Sequence, residues 1–220
     1  MKLISLILLM FAANSCNQKD KDMEQTEAAM NSEPIEVAAT QEGMEKAYFA
    51  SGCFWCVEEI YESVNGVSEA ISGYSGGTTE NPTYEQSNTG TTGHAEANEI
   101  IYDPKVVSFE TLVDVYFASQ NIEQVNGQGP DRGSQYRSII FYQNDEQKQI
   151  IASKIKELED AGYEVAAEVK PFEKFWVAED YHQDYAENHP TNGYIQNVSI
   201  PRWRRFAAAM PNVIKEGVSH

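Results

Sequence analysis

Short apolar runs and helical apolar spacings alternate along the middle of this chain. The run Lys46–Ala50 is typical of a buried strand, and Ser51-Gly52 favours a turn directly after it. From there to the stop signal Asn65-Gly66, apolar residues recur at the i, i+3, i+4, i+7 spacing of an amphipathic helix. The pattern therefore predicts a strand, a turn and a helix that begins at Cys53 and ends at Val64.

The rest of the chain shows the same two kinds of pattern. Strands are predicted at Val67–Tyr74, Ala95–Tyr102, Arg137–Tyr142 and Glu164–Val169, and helices at Asp145–Ala161 and at an apolar stripe capped by Ser108. Between them, Gln120–Gln135 is a long glycine-bearing loop, and loops of this length are uncommon unless they have a function. Mixed strands with packed helices favour an α/β or α+β sandwich.

The N-terminal segment 1–16 is typical of an export signal. Lys2 precedes an apolar run that ends at Ala13 and is too short to span a bilayer. The following Asn14-Ser15-Cys16 resembles the processing site of a bacterial lipoprotein, although such sites usually have Leu where Ala13 stands. We expect an exported protein of the cell envelope that is attached to the membrane by a lipid on Cys16 alone. An ordinary cleaved signal peptide, with Cys16 incidental, is the alternative.

Composition divides the remainder into three parts. Residues 17–44 are polar and acidic and are predicted to be a disordered tether. Residues 45–206 form the predicted catalytic domain, and residues 207–220 a C-terminal tail that we expect to be loosely packed. The whole chain has 16 basic and 34 acidic residues, a net charge of −18, so nucleic acid is excluded as a partner.

Two of the three cysteines lie three positions apart, at the predicted start of the first helix. Unpaired N–H groups and the helix dipole stabilise an anion there, so Cys53 is expected to be exposed, with a lowered pKa, and Cys56 to follow one turn later. A redox pair is the favoured interpretation, with a thioredoxin-like exchanger as its default form. Cysteines that pack as small apolar groups remain an alternative. Half of a zinc site is another, although the histidines that could complete it, His94, His182 and His189, are scattered.

Three other segments change this interpretation. Asn81-Pro82-Thr83-Tyr84 is a turn that presents a tyrosine, Thr92-Gly93-His94-Ala95-Glu96 places a carboxylate at a strand start, and Gly129–Ser138 closes the long loop. Together with Gly52-Cys53-Phe54-Trp55, in this order, they resemble the A-type peptide-methionine sulfoxide reductases over about residues 46–206. With the element pattern, this predicts an α+β fold, a mixed-sheet two-layer α/β sandwich with a ferredoxin-like core.

The resemblance implies a role for each matching residue. Cys53 would attack the sulfoxide sulfur, Glu96 would protonate the sulfoxide oxygen, and Tyr84 and Tyr136 would donate hydrogen bonds to that oxygen. The methyl group of the substrate would lie against Phe54 and Trp55, and Asp131 would lie at the edge of the site. The substrate would be methionine S-sulfoxide, free or in peptides and proteins, and a thioredoxin-like thiol would supply electrons. No cofactor or metal is expected.

The sequence departs from the family pattern at two places. Cys56 stands where the family usually has Gly, and the tail from Arg202 to His220 has none of the cysteines that many members use to resolve the oxidised nucleophile. We therefore expect Cys56 to form a disulfide with Cys53, the alternative being a passive replacement for Gly. Asn121-Ile122-Glu123-Gln124 also replaces a His-Asp-Pro-Thr-like stretch. His182-Gln183-Asp184-Tyr185 resembles another family segment, in which we expect His182 to be structural.

Two rival functions remain open on the sequence. One is a general CxxC thiol–disulfide exchanger, which would need neither Glu96 nor Tyr84. The other is a lipid-anchored binding protein whose pocket only recognises its ligand. The first would tolerate loss of the Glu96 carboxyl, and the second would turn over no sulfoxide.

Overall fold

The computed structural model describes residues 42–219, so the predicted signal segment with Cys16, and the predicted tether up to residue 41, lie outside the described residues. The strands are β1 (Glu45–Ser51), β2 (Val67–Ser75), β3 (Ala95–Tyr102), β4 (Gly127–Gln128), β5 (Asp131–Arg132), β6 (Ser138–Tyr142), β7 (Glu168–Pro171) and β8 (Phe175–Val177). The helices are α1 (Phe54–Glu62), α2 (Tyr84–Asn88), α3 (Phe109–Ala118), α4 (Asp145–Asp160), α5 (Tyr185–Asn188) and α6 (Ile200–Ala209), with a π-helical turn at Ile195–Ser199 before α6.

Six strands form a mixed sheet in the order β7-β6-β1-β3-β2-β8. Its four central strands are antiparallel, and α1 and α3 connect them in the order β1-α1-β2-β3-α3-β6. This is the β-α-β-β-α-β arrangement of ferredoxin-like folds. The strand β7 extends the sheet in parallel with β6, and β8 adds an antiparallel strand beside β2. The predicted α+β sandwich with a ferredoxin-like core is confirmed.

Apolar side chains cover both faces of this sheet. The main core lies between the sheet and the helices, where Phe49 stacks on Tyr61 with ring centroids 5.1 Å apart and Leu112 of α3 is fully buried. The opposite face is covered by a smaller apolar cluster, in which Tyr48 stacks on Phe172. Burial on both faces explains why every residue of β3 is buried, although the strand carries two glutamates.

Two segments differ from the pattern-based prediction. The last predicted strand, Glu164–Val169, is found at Glu168–Pro171, where parallel pairing with β6 fixes its register. The residues before it do not pair with the sheet, since the Ala166 N–H donates to the Ile122 carbonyl. The expected loose tail packs up to residue 215: α6 continues to Ala209, and the Lys215 N–H donates to the Ser63 carbonyl at 2.8 Å. These bonds tie the chain end to the C-terminus of α1.

Within residues 42–219, no helix combines the length and the apolar character that a membrane crossing would require. The same residues contain no group of three or more His, Cys, Asp or Glu side chains arranged to hold a metal ion.

Candidate active site

The turn between β1 and α1 places the first cysteine. Gly52 adopts φ +85°, a left-handed conformation that favours glycine, and a Cβ there would lie 2.5 Å from Cβ of Gln128. The chain then enters α1 with Cys53 as its N-cap residue, and the Cys53 carbonyl accepts the N–H groups of Cys56 and Val57. Helix α1 therefore begins one residue later than predicted, and Cys53 Sγ lies at its N-terminal end.

Cys53 is not the exposed, activated thiol that the sequence suggested. Its side chain is buried, with 7% of its surface exposed, in a cluster with Phe54, Tyr74 and Ala178. Burial raises the pKa of Cys53 well above its usual value, and interaction with Cys56 raises it further. The helix N-terminus acts to lower the Cys53 pKa, but desolvation and the second thiol raise it by more, because removing a thiolate from water costs more free energy than the helix dipole supplies.

Cys56 is the more acidic member of the pair. A hydrogen bond from Cys53 lowers the pKa of Cys56 to about 7, against the opposing effect of burial, and the Arg202 charge and Ser199 contribute to the lowering. Ser199 Oγ lies 2.8 Å from Cys56 Sγ, and Tyr194 Oη lies 3.9 Å from it. The buried pair therefore gains its first negative charge on Cys56, as the pH rises through about 7.

Glu96 lies beside the cysteine pair although it comes from the second residue of β3. Its Oε2 accepts the Phe54 N–H at 3.0 Å, which is one of the unpaired donors at the start of α1. The side chain is 2% exposed, and burial raises the pKa of Glu96 to about 8 despite that hydrogen bond. At neutral pH the group is mostly a neutral carboxylic acid, which can donate a proton.

Two tyrosines face the same space from different segments. Tyr84 is the first residue of α2, which is held by a capping box at Thr83, and its N–H donates to Glu179 Oε1 at 2.9 Å. Tyr136 ends the loop before β6, and its hydroxyl donates to Asn88 Oδ1 at 3.3 Å. Burial raises the pKa of both phenols, and Glu96 raises both further, so each remains a neutral hydrogen-bond donor.

Aromatic rings build one wall of the site. Phe54 is buried, and its ring centroid lies 4.9 Å from that of His182 and 6.3 Å from that of Tyr84. Trp55 is partly exposed and stacks on Tyr185 at 3.8 Å. The Trp55 indole N–H donates to Nδ1 of His182 at 3.2 Å, and burial lowers the pKa of His182 to about 4, so this imidazole is a neutral acceptor. His182 therefore fixes the orientation of the Trp55 ring.

Two residues of the site were not predicted from the sequence. The Tyr194 hydroxyl donates to Oδ2 of Asp131 at 2.5 Å and lies beside both thiols. Arg202 is buried next to Cys56 and donates to Ser51 and Ser119. Both lie far from the cysteine motif in sequence, where a lone Tyr or Arg gives no signal of its own.

The structure thus brings together every predicted residue of the described chain at the N-terminus of α1: Cys53, Phe54, Trp55, Cys56, Tyr84, Glu96, Asp131 and Tyr136. Such a set holds a thiol pair, a neutral carboxylic acid and two phenols in a largely buried, aromatic pocket. It is suited to attack on a polar S–O bond, because the acid and the phenols can neutralise charge that develops on an oxygen atom.

Comparison with known proteins gives a consistent result. The model of the family described as peptide methionine sulfoxide reductase matches residues 45–212. The peptide methionine sulfoxide reductase MsrA of Pasteurella multocida is 48% identical over 172 residues, which cover 78% of this chain and 99% of that protein. The protein of the same name from Methanosarcina acetivorans is 50% identical over 160 residues, covering 71% of this chain and 84% of that protein.

Solved structures agree in fold. Methionine sulfoxide reductase A of Corynebacterium diphtheriae is similar with a TM-score of 0.64 and 31% identity, covering 73% of this chain and 84% of that chain. Mxr1 from Saccharomyces cerevisiae in its reduced form is similar with a TM-score of 0.66 and 28% identity, covering 72% of this chain and 92% of that chain.

Proposed function

Because this chain belongs to the peptide methionine sulfoxide reductase family, we propose that it reduces methionine S-sulfoxide, free or in proteins, through the thiol of Cys53. The observation that supports this best is the Glu96 carboxyl, which lies at the start of α1 and has a pKa of about 8. A sulfoxide oxygen leaves only after gaining a proton, whereas a thiol–disulfide exchanger has no need of a neutral acid there.

The first step transfers the oxygen atom. Cys53 Sγ attacks the sulfoxide sulfur, Glu96 protonates the oxygen, and Tyr84 and Tyr136 donate hydrogen bonds to it. As Cys53 attacks, its thiol proton passes to the hydrogen-bonded Cys56 thiolate. The singly charged thiol pair, one sulfoxide and the Glu96 proton thus give a Cys53 sulfenic acid, a Cys56 thiol and a thioether, so that the sulfur of the substrate is reduced and the sulfur of Cys53 is oxidised. The Glu96 carboxyl is buried and the two phenols are half-buried, so these hydrogen bonds are stronger than they would be in bulk water.

The wall formed by Phe54 and Trp55 accounts for recognition of the methyl group. Phe54 is buried beneath the site, and Trp55 is held by its hydrogen bond to His182, so the two rings present a fixed apolar surface. A methyl group gains contact there, while the sulfoxide oxygen is directed to Glu96 and the tyrosines. This division of the pocket favours one of the two sulfoxide epimers.

A turnover assay tests the proposal directly. The purified protein is incubated with dabsyl-methionine S-sulfoxide or R-sulfoxide and excess dithiothreitol, and the thioether is measured by chromatography. We expect turnover of the S epimer only. Absence of turnover with both epimers would contradict the proposal and favour a protein that binds its ligand without chemistry.

We propose that Cys56 resolves the sulfenic acid. It lies one helical turn from Cys53, and its pKa of about 7 provides a thiolate at neutral pH. Attack of this thiolate on the Cys53 sulfenic sulfur, with one proton, forms the disulfide and releases water. Mass spectrometry after one turnover without reductant should show a Cys53–Cys56 disulfide, and the Cys56→Ser variant should show a sulfenic acid on Cys53. Stable sulfenic acid in the unmodified protein, with Cys56 free, would favour the passive role.

Two further proposals concern where electrons enter and where the protein resides. A thioredoxin-like dithiol would reduce the Cys53–Cys56 disulfide by thiol–disulfide exchange and would itself be oxidised to a disulfide.

The export signal and Cys16 would tether the protein by a lipid to the cell envelope. Metabolic labelling with an alkynyl fatty acid tests this second proposal: the label should be present in the intact protein and lost in Cys16→Ser. Equal labelling of both would refute lipidation at Cys16.

A further inference from the structure

A cavity of about 620 Å³ opens on the side of the site where Cys56 lies. Cys56 is part of its lining and Cys53 is not. Loop amides such as those of Gln120 and Gln128 form one wall, and the start of α6 forms another through Arg202 and Arg205. The volume falls in the range typical of small-molecule sites.

The charge of this cavity is opposite to that of the chain. The protein has a net charge of −18, yet the cavity is lined by Arg202 and Arg205 and by a single acidic residue, Asp131. The carboxylate of Asp131 already accepts the Tyr194 hydroxyl at 2.5 Å. When Cys56 is in the disulfide and uncharged, the cavity is therefore lined by two positive charges and one negative charge, in a strongly acidic protein.

Neither arginine is neutralised by a carboxylate. Arg202 is 6% exposed, and its guanidinium donates to the Ser119 carbonyl and to Ser51, all of them neutral acceptors. Among residues 42–219 no carboxylate forms an ion pair with it. Arg205 is exposed and makes no hydrogen bond or ion pair with the described residues.

In the thiol form the Cys56 thiolate is the negative charge beside Arg202, and the Arg202 charge also acts to lower the pKa of Asp131. That thiolate is lost when Cys56 enters the disulfide, and a buried guanidinium without a paired anion is costly, so the oxidised form favours an anionic ligand in the cavity.

We propose that this cavity binds a thiol bearing carboxylate groups, and that such a thiol reduces the Cys53–Cys56 disulfide from the Cys56 side. The proposal rests on the proposed function, since it requires that disulfide. Arg205 attracts the carboxylates at the mouth of the cavity, and Arg202 stabilises the negative charge beside Cys56. The ligand is either a small acidic thiol or an acidic segment beside the reactive cysteine of a protein.

The exchange balances in two steps. The thiolate of the reductant attacks Cys56 Sγ, the Cys53–Cys56 bond breaks, and Cys53 leaves with the bonding electrons and takes a proton, for which the neutral Glu96 carboxyl is a source. A second reductant thiolate then attacks the sulfur of the first, which releases Cys56 as a thiolate and the reductant as its disulfide. Two thiols are oxidised for each disulfide reduced.

A series of small thiols tests the charge preference. The disulfide form of the intact protein is prepared with one equivalent of methionine sulfoxide, and its reduction is followed by alkylation and mass spectrometry. The probes are 3-mercaptopropionate, 2-mercaptoethanol and cysteamine, with rates expressed per thiolate. We expect the anionic thiol to react about tenfold faster than the cationic one at low salt. Without the site, the chain's negative charge would give the reverse order, and that order would overturn the proposal.

Matched variants separate the site from the overall charge. Arg205→Gln should remove most of the preference for the anionic thiol, whereas Arg204→Gln, one position away and outside the cavity lining, should retain it. Equal effects of the two changes would refute a local site.

Peptides distinguish a small acidic thiol from a protein as the reductant. A Cys-x-x-Cys peptide flanked by glutamates is compared with one flanked by lysines. Faster reduction by the glutamate peptide indicates a protein reductant, and a preference confined to small thiols indicates a small reductant.

The position of attack is measured separately. Acid quenching during reduction, followed by peptide mapping, should find the reductant attached to Cys56 with Cys53 free. An adduct on Cys53 would overturn this route. Failure of the proposed function would appear earlier, as the absence of any Cys53–Cys56 disulfide after incubation with sulfoxide, so the two failures are distinguishable.

Discussion

At the scale of single residues, Glu96 shows how position creates a catalytic acid. A glutamate in water would be ionised at neutral pH. Here the side chain is buried under α1, and its pKa rises to about 8 even though the Phe54 N–H stabilises the ionised form. Asp131 adds to the rise, since a second carboxylate disfavours a negative charge on the first. The sequence around Glu96 carries none of this information.

The change Glu96→Gln tests this role. Gln keeps the shape and can accept the Phe54 N–H, but it has no proton to transfer, so we expect kcat for sulfoxide reduction to fall by about 10²–10⁴. Exchange between the Cys53–Cys56 disulfide and dithiothreitol should remain largely intact. The matched control is Glu99→Gln, on the same buried strand but paired with Lys46 outside the site. Loss of exchange in Glu96→Gln, to the same extent as sulfoxide reduction, would favour a general exchanger.

The same residues predict a bell-shaped pH dependence for the first half-reaction. The thiol pair gains its negative charge as the pH rises through about 7, because that is the pKa of Cys56. The acid form of Glu96 is lost as the pH rises through about 8. Single-turnover rates should therefore rise to a maximum between these values and then fall. The Glu96→Gln variant should lack the alkaline fall, and a fall that persists in it would contradict the assignment of Glu96.

At the scale of elements, the turn between β1 and α1 determines where the nucleophile lies. Ser51 is the last residue of β1, in register with Ser138 of β6, so it cannot move without disturbing the sheet. Gly52 reverses the chain with φ +85° while packed against Gln128. Gln128 in turn holds the loop by accepting the Asn121 N–H at 2.9 Å. The cysteine is therefore positioned by a strand and a loop at once.

Replacing Gly52 by Ala should displace Cys53 as well as weaken the fold. The left-handed conformation alone costs a non-glycine residue about 1–2 kcal/mol. The clash with Gln128 adds an overpacking cost of about 1–3 kcal/mol. The control is Gly162→Ala, where φ is +97° but a Cβ would meet nothing within 4 Å. Urea denaturation should show a larger loss for Gly52→Ala, and only that variant should lose activity. Equal losses would mean that packing against Gln128 is unimportant.

The elements near the cysteines were predictable because local signals agree there. The first strand, the helix after it and the helix capped by Ser108 all appear where the apolar spacing and the caps indicated. The strands β7 and β8 were misplaced or missed, since each is an edge strand whose position depends on pairing with β6 or β2. Short segments such as α2 lack enough residues for a periodic signal.

The site was predictable only in part, and for a related reason. The matching segments named Cys53, Glu96 and the tyrosines, but no local pattern shows that Tyr194 bridges Asp131 and the thiols, more than sixty positions away from Asp131 along the chain. The burial of Cys53 was also missed. A helix N-terminus can be inferred from sequence, whereas the degree of desolvation depends on Tyr194 and Ala178, which tertiary packing brings to Cys53.

At the scale of the whole molecule, the excess of acidic residues extends into the interior. Burial raises the pKa of Glu58 to about 9, of Glu59 to about 7 and of Glu62 to about 8, and Glu96 behaves in the same way. In the unfolded chain such groups lose their protons near pH 4.5. At these four groups the folded protein therefore holds more protons than the unfolded one between about pH 4.5 and 9. These carboxyl groups make stability fall with rising pH over that range.

Glu58 provides the sharpest test of this relation. It is 1% exposed, and neither carboxylate oxygen has a hydrogen-bond partner of good geometry. Burial and the Glu62 charge raise its pKa, against the lowering effects of Ser72 and the Asp184 backbone.

We expect the melting temperature to fall between pH 6.5 and 9, above the range in which His182, with its pKa lowered to about 4, acts in the opposite direction. Cys56, with its pKa lowered to about 7, offsets part of this fall above pH 7, and it does so in every variant compared. Glu58→Gln should flatten this fall, since Gln has no proton to lose, whereas Glu173→Gln, at an exposed position, should leave it unchanged. A decline equally steep in Glu58→Gln would show that Glu58 takes up no extra proton on folding.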